Sequence, residues 1–307
     1  MNNQYKFSFP TEKIKLKRIY ESINSEEING QFHINPKIQE IYGEFSFPSL
    51  PKDRTYTLGS FVQSIDGKIA FTESPDGTLV AKKNLKAPYG AMADYWILNL
   101  LRTVSDAVLM GSKTIAREPN LTGHIFDSDL ADYRVKCGKL EVPLHIIVTG
   151  TGIDFPLTHK IIKDPDIPVL IVTSNEGKSI LTENLDPYFI DLNHSTGFCL
   201  TNTIKAVISI GENNSINLAE LMTFLKKHGI DTMMIESPTF LVSLMQKDLL
   251  DELYLNTSSI FIGGDALSIG QNMPAFSLNN HPSGRVISIH THSDYFFYVR
   301  YRMEYDI

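Results

Sequence analysis

The stretch Leu100–Thr114, LLRTVSDAVLMGSKT, decides the fold. It joins the end of one helix to a short apolar strand and then to the start of a second helix. Upstream, AMADYWILNLLRTV (residues 91–104) sets Trp96, Ile97, Leu100, Leu101 and Val104 at helical spacing. DAVLMG (106–111) is a near-continuous apolar run, the pattern of a parallel strand buried on both faces. SKTIAR then opens a helix, with Ser112 as its expected N-cap and Gly111 permitting the tight turn before it.

The same alternation recurs on both sides. YTLGSFVQSI (56–65) is rich in aromatic and β-branched residues and predicts a strand. LHIIVT (144–149), PVLIVT (168–173), KAVISI (205–210) and TMMIE (232–236) predict further buried strands. LAELMTFLKKHGI (218–230) predicts a helix with Leu218, Leu221, Met222 and Leu225 on one face and Gly229 ending it. TFLVSLMQKDLL (239–250) predicts the next helix, and Glu118–Val142 a loop-rich stretch. DELYLNTSSIFIGG (251–264) and RVISIHTHSDYFFYVRYRMEY (285–305) predict long strands, the last paired antiparallel. Strand–helix–strand repeats of this kind imply an α/β fold, a mostly parallel sheet covered by helices on both faces with an antiparallel C-terminal strand. Residues 1–54 differ in character. KIKLKRIYES predicts a short amphipathic helix, INSEEINGQ is polar, and FSFPSLPKDR carries prolines. The expected organisation is an N-terminal extension over 1–54, packed on the domain or on a second subunit, and one catalytic domain over 55–307.

Composition excludes several classes. With 28 basic against 35 acidic residues the net charge is −7, which gives no footprint for a phosphate backbone, so no nucleic-acid partner is expected. Cys137 and Cys199 stand far apart without companions at metal-ligand spacing, and the histidines complete no ligand set, so neither a disulfide framework nor a metal is expected. No apolar run approaches the ~18 residues of a membrane span, and MNNQYKFSFP lacks the pattern of a signal peptide. These features lead to the expectation of a soluble cytoplasmic protein.

In such a sheet ligands bind outside the carboxyl ends of the strands. At the first such end, Gly111, Ser112, Lys113 and Thr114 combine a close-approach glycine, a helix start, two hydroxyls and a lysine, which suits a phosphate; an ordinary strand–helix turn is the alternative. Neither a Walker A spacing nor G-x-G-x-x-G is present. At the second, QSIDGK (63–68) places Ser64 and Asp66 either at a pocket mouth or in a plain turn. At the third, IESPTFL (235–241), Glu236 directly follows a buried strand and needs a ligand or a donor, with Ser237 as a helix cap and Pro238 in the first turn. The fourth candidate is Asp94, either a first-turn residue satisfying the helix dipole or a buried acid facing substrate.

SIDGKIA, LLRTVSDAVLMGSKT, IESPTFLVSLMQKDLLDELYL and IFIGG, in this order and spacing, resemble the reductase domain of the riboflavin-biosynthesis deaminase–reductases, which is similar in fold to dihydrofolate reductase. The resemblance covers residues 55–305 and implies a dihydrofolate-reductase-like three-layer sandwich. It implies NADPH as cofactor, with phosphates at Gly111, Ser112, Lys113 and Thr114 and Lys113 near the 2′-phosphate. It further places Thr173 and Ser174 beside adenosine, Ser237, Pro238, Thr239, Phe240 and Leu241 at the pyrophosphate, and Gln63 near the nicotinamide. Glu118 joins the cofactor-binding set, and Ser64, Asp66, Leu121 and Glu236 the substrate-binding set. Asp94 and Glu236 are the catalytic candidates.

The implied reaction reduces a ribosylamino-pyrimidinone phosphate to its ribitylamino form, the hydride reaching the sugar's first carbon through an open-chain imine. The sequence departs from the family pattern at three places. Glu236-Ser237-Pro238 stands where the family has E-G-G. Ser60 and His124 stand near the positions of a lysine and an arginine that grip substrate phosphate. The zinc-deaminase pattern H-x-E with P-C-x-x-C is missing, which describes a stand-alone paralogue. A dihydrofolate-reductase-like activity resting on Asp94, and a catalytically silent nucleotide-binding relative, are the alternatives. A small heterocyclic substrate and a homodimer are the expected partners, the latter from family habit and the aromatic strand YFFYVRYRMEY.

Overall fold

The computed structural model describes residues 5–22, 30–195, 199–200 and 205–305. In chain order the helices are α1 (Thr11–Ile14), α2 (Pro36–Ile41), α3 (Thr78–Lys82), α4 (Pro88–Val104), α5 (Ser112–Arg117), α6 (Ser128–Lys136), α7 (Lys160–Lys163), α8 (Asn175–Thr182), α9 (Leu218–Lys227) and α10 (Pro238–Met245). The strands are β1 (Lys17–Glu21), β2 (Gln31–Phe32), β3 (Ser46–Phe47), β4 (Tyr56–Ser64), β5 (Ala107–Gly111), β6 (Leu144–Thr149), β7 (Val169–Thr173), β8 (Ile190–Asp191), β9 (Lys205–Ser209), β10 (Thr232–Ile235), β11 (Glu252–Ser258), β12 (Ser283–Ser293) and β13 (Phe296–Glu304).

Among the described residues, eleven strands form one sheet in the order β1-β12-β13-β11-β4-β10-β5-β6-β7-β9-β8. The run from β11 to β8 is parallel, whereas β13, β12 and β1 join antiparallel at one side. Period-two alternation sorts the buried side chains between two layers. Val108 and Met110 of β5 pack with Trp96, Leu100 and Ile115 on one face, while Ala107 and Leu109 pack with Leu221, Leu225 and Leu244 on the other. Each such buried aliphatic contributes about 1.5–3 kcal/mol of burial. Helices α9 and α10 cover the second face, and the remaining helical layer covers the first. Gly59 shows how tightly they meet, since a Cβ there would lie 2.3 Å from Leu241 Cδ1.

Several expectations change. KIKLKRIYES is not one helix: Lys13 and Ile14 end α1, and Lys17–Glu21 pairs with β12 as the edge strand, its three charged residues suiting an exposed sheet margin. RVISIHTHSDYFFYVRYRMEY is a hairpin, β12 and β13, rather than one strand. YFFYVRYRMEY lies inside the sheet between β12 and β11, so it presents no open edge to a partner subunit. The stretch Glu118–Val142 contains α6, started by the Asp127 side chain accepting from Leu130 N. INSEEINGQ falls largely on residues 23–29, outside the described residues. The rest of the N-terminal segment is built into the first layer: Phe9, Ile14, Ile38, Ile41, Phe45 and Phe47 are buried with Trp96.

A buried charged cluster ties that segment to the sheet. Glu252 accepts from Tyr56 Oη at 2.7 Å, from Arg300 at 2.7 and 2.9 Å, and from Arg302 at 2.9 Å. Arg300 also donates to the Ser46 carbonyl and lies over the Phe45 and Tyr254 rings. Burial alone would raise the Glu252 pKa, but the two guanidiniums outweigh it and hold the carboxyl below its ordinary range. No helix among the described residues is long and apolar enough to cross a membrane.

Candidate active site

Adjacent parallel strands β5 and β10 send their following helices to opposite faces. Ile115 of α5 packs in the first layer, and Leu241 and Leu244 of α10 in the second. A crevice therefore opens at their carboxyl ends, the position where open α/β sheets hold ligands. Gly111 and Ser237 form its floor. A Cβ on Gly111 would stand 3.4 Å from Ser237 Oγ, 3.6 Å from Thr114 Oγ1 and 3.8 Å from the Phe240 ring.

Both helix starts here lack a side-chain cap. The N-cap of α5 is Gly111, with Ser112 the first helical residue, and Ser237 flanks α10 without bonding its N–H groups. Both capping expectations are thus corrected. Among the described residues the side chains of Ser112, Lys113, Thr114 and Ser237 make no hydrogen bond, and Lys113 is exposed. Two clusters of free backbone donors, three hydroxyls and a lysine converge on one crevice, a donor set that fits a polyphosphate. Pro238 removes one donor from the second cluster, while Thr239 and Phe240 complete that first turn.

The third candidate strand end carries a partner that the sequence did not disclose. Arg102, from the last turn of α4, donates Nε and Nη2 to the two oxygens of Glu236, each at 2.7 Å. Its side chain is 2% exposed against 12% for Glu236, so the arginine lies behind and the carboxylate faces the crevice. Glu236 is therefore an ion-paired carboxylate, each oxygen accepting from one donor and keeping lone pairs for a ligand, which supports a positioning role for this candidate. Arg102 also reaches the His124 carbonyl at 3.4 Å. An arginine on an otherwise apolar helix face, with a lone glutamate ending a buried strand, was the available sequence signal.

Asp94 sits mid-helix on α4, not in its first turn. Its carboxylate accepts from Asn256 Nδ2 at 2.7 Å, and burial, only partly offset by that bond, lifts its pKa from 3.8 to about 6. Ala91, Asp94, Tyr95, Leu98 and Arg102 follow one another at helical spacing, and the hydrophobic members are partly exposed. Glu118 follows α5, with Leu121 N donating to its carbonyl at 2.9 Å. Burial, then the charges of Asp76 and Glu236, lift the Glu118 pKa to about 7 against the pull of Arg102 and Lys82.

At the end of β4, Gln63 stands beside the Gly67 turn, whose φ is +77°. Ser64 Oγ donates to Asp66 at 2.6 Å, and the Asp66 carboxylate accepts from the N–H groups of Ile262 and Gly263 at 3.1 and 2.7 Å. Asp66 thus holds the IFIGG loop at the end of β4. Three further candidate residues have buried side chains. Thr173 and Ser174 are both fully enclosed, with Ser174 Oγ donating to the Gly150 carbonyl and accepting from Gly177 N as the cap of α8. Leu241 is enclosed against Gly59. None of these three side chains reaches the crevice.

A model of the RibD C-terminal domain matches residues 55–281. The 2,5-diamino-6-ribosylamino-4(3H)-pyrimidinone 5′-phosphate reductase of Archaeoglobus fulgidus is 26% identical over 213 residues, covering 69% of this chain and 83% of that protein. The riboflavin biosynthesis protein RibD of Aquifex aeolicus is 22% identical over 225 residues, 73% of this chain and 51% of the relative, so the chain spans about half of that protein's length. Among solved structures, a pyrimidine reductase-like protein from Corynebacterium diphtheriae has a TM-score of 0.60 at 15% identity, covering 87% of this chain and 98% of that one. The deaminase/reductase of Thermotoga maritima has a TM-score of 0.55 at 17% identity, covering 82% and 57%. These structural likenesses establish the mostly parallel, dihydrofolate-reductase-like fold. With the matched span covering most of the chain, this protein belongs to the RibD C-terminal domain family.

Proposed function

We propose that the protein is an NADPH-dependent pyrimidine reductase, reducing a ribosylamino-pyrimidinone to its ribitylamino form. The observation that carries this reading is the crevice between β5 and β10, with two uncapped helix starts and unpartnered Ser112, Lys113, Thr114 and Ser237 around Gly111. Those groups would hold the cofactor's phosphates, with exposed Lys113 at the 2′-phosphate. When bound, NADPH supplies the hydride. The chain's own residues position the acceptor: Gln63 borders the nicotinamide end, with buried Ser64 bracing the turn behind it, while Glu236, fixed by Arg102, accepts from ring N–H groups of the pyrimidine. A hydride added to the imine carbon leaves the nitrogen needing a proton. Asp94, whose carboxyl stays protonated up to about pH 6, is the donor suited to that task.

A dihydrofolate-type reduction is the second reading, favoured by the same Asp94–Asn256 pair. Turnover of the Archaeoglobus enzyme's pyrimidinone phosphate and of dihydrofolate, followed by loss of NADPH absorbance, separates the two. The expected result is oxidation of NADPH with the pyrimidinone. Lys113→Ala raises KM for NADPH about tenfold, the equivalent of one charge-assisted contact, and leaves KM for NADH unchanged. Absence of NADPH binding by quenching of Trp96, together with no turnover of either substrate, would refute the reductase assignment.

A further inference from the structure

The segment before α1 runs beside the chain that carries His124. Phe7 donates its N–H to the Phe126 carbonyl at 2.8 Å and accepts from Ser128 N at 3.1 Å, a parallel bridge between Phe7 and Asp127. Tyr5 stacks on the His124 imidazole with ring centroids 4.8 Å apart. Phe7 stacks on Phe9 at 4.5 Å, and Phe9 meets Tyr95 at 6.1 Å. Lys6 points away, to Glu141. Two routes lead from these rings to the crevice. The His124 carbonyl accepts from Arg102, and Tyr95 lies within the electrostatic reach of both Arg102 and Glu236.

We propose that residues 5–9 build the outer wall of the substrate end of the crevice, with Tyr5 as the residue that positions the substrate's sugar-like arm. The segment lies outside residues 55–281, the span that the family model matches. The proposal rests on the reductase reading above. The wall is aromatic and uncharged, because burial holds the His124 pKa below its ordinary 6.5 and leaves the ring neutral at pH 7. A Tyr–His pair of this kind packs against the C–H face of a ribosyl or ribityl chain and selects by shape. It offers no cation to a phosphate.

The test compares the full chain with Tyr5→Ala and Tyr5→Phe, using 2,5-diamino-6-ribosylamino-4(3H)-pyrimidinone 5′-phosphate and NADPH. Loss of one ring-face contact predicts a substrate KM raised about three- to tenfold in Tyr5→Ala, with kcat and KM for NADPH unchanged within twofold. Tyr5→Phe restores the wild-type KM. An unchanged substrate KM overturns the proposal. So does a rise shared equally by substrate and NADPH with a lowered Tm, which marks a purely structural role. A wild-type chain that fails to reduce this substrate defeats the reductase reading and carries the inference down with it. Wild-type turnover that Tyr5→Ala leaves untouched defeats the inference alone.

Discussion

Replacing Asp94 with Asn removes the charge of a desolvated acid while keeping its shape. Asn keeps an oxygen to accept from Asn256 Nδ2, so the 2.7 Å bond survives while the charge is removed. In the folded chain the Asp94 pKa is raised from 3.8 to about 6, chiefly by burial. An acid raised on folding binds more protons folded than unfolded, so its presence lowers stability as pH rises from about 4 through 6. Above pH 7 the accumulated penalty is about 3 kcal/mol, at 1.36 kcal/mol per pKa unit. Asp94→Asn therefore stabilises the protein by about 2–3 kcal/mol at pH 8, the side chain's residual exposure trimming the upper figure. For a chain of 307 residues this is a Tm increase of about 3–5 °C. At pH 4.5 the same linkage leaves about a third of the gain. Thermal or urea unfolding at the two pH values checks the difference, and the proton-donor role proposed for Asp94 predicts that turnover falls in the same variant. A stabilisation equal at both pH values, or a loss of stability at pH 8, would show that Asp94 is not the desolvated acid described.

Two further perturbations address the scaffold. Arg102→Met leaves Glu236 as an unpaired carboxylate at the crevice floor and costs about 3–5 kcal/mol, read from the denaturant midpoint. Adding Glu236→Gln returns part of that loss, and strict additivity of the two changes would deny the pairing. Phe45 is 1% exposed and contacts Tyr42, Phe47 and Tyr254 with centroids 5.4–6.4 Å away. Phe45→Ala therefore costs about 3–5 kcal/mol in a single unfolding transition. A loss below about 1 kcal/mol would mean that the N-terminal segment adds little to the core.

The parts of the fold legible in the sequence were those where one physical pattern dominates. DAVLMG and TMMIE are buried on both faces, so their runs are apolar without interruption, and the helix before β5 shows its spacing because one side is fully enclosed. The edge strand KRIYE was illegible because it is exposed on nearly every residue and so carries no apolar alternation. The β12–β13 reversal hides in His292–Tyr295, which has no glycine to mark it. At the site, Gly111 and the helix start after it were visible locally, whereas the Arg102–Glu236 pair joins residues separated by 134 positions. The burial of Thr173 and Ser174 was not legible, because sequence shows which residues end a strand but not whether the neighbouring turn closes over them. Here Gly150 and Gly177 bring backbone onto both.

The pairing of β1 with β12 sets a constraint on biosynthesis. Arg18 meets His290 across 272 residues of chain, and the Ser46 carbonyl waits for Arg300. A stretch that leaves the ribosome early is thus among the last to find its place. Until β11, β12 and β13 emerge, the rings of Phe45, Phe47 and Tyr42 lack Tyr254, the Arg300 guanidinium and the hairpin that cover them. Closing such a long loop is slow and leaves apolar surface open meanwhile. The acidic and amide residues of INSEEINGQ, residues 23–31, would keep that unpaired stretch soluble during the delay.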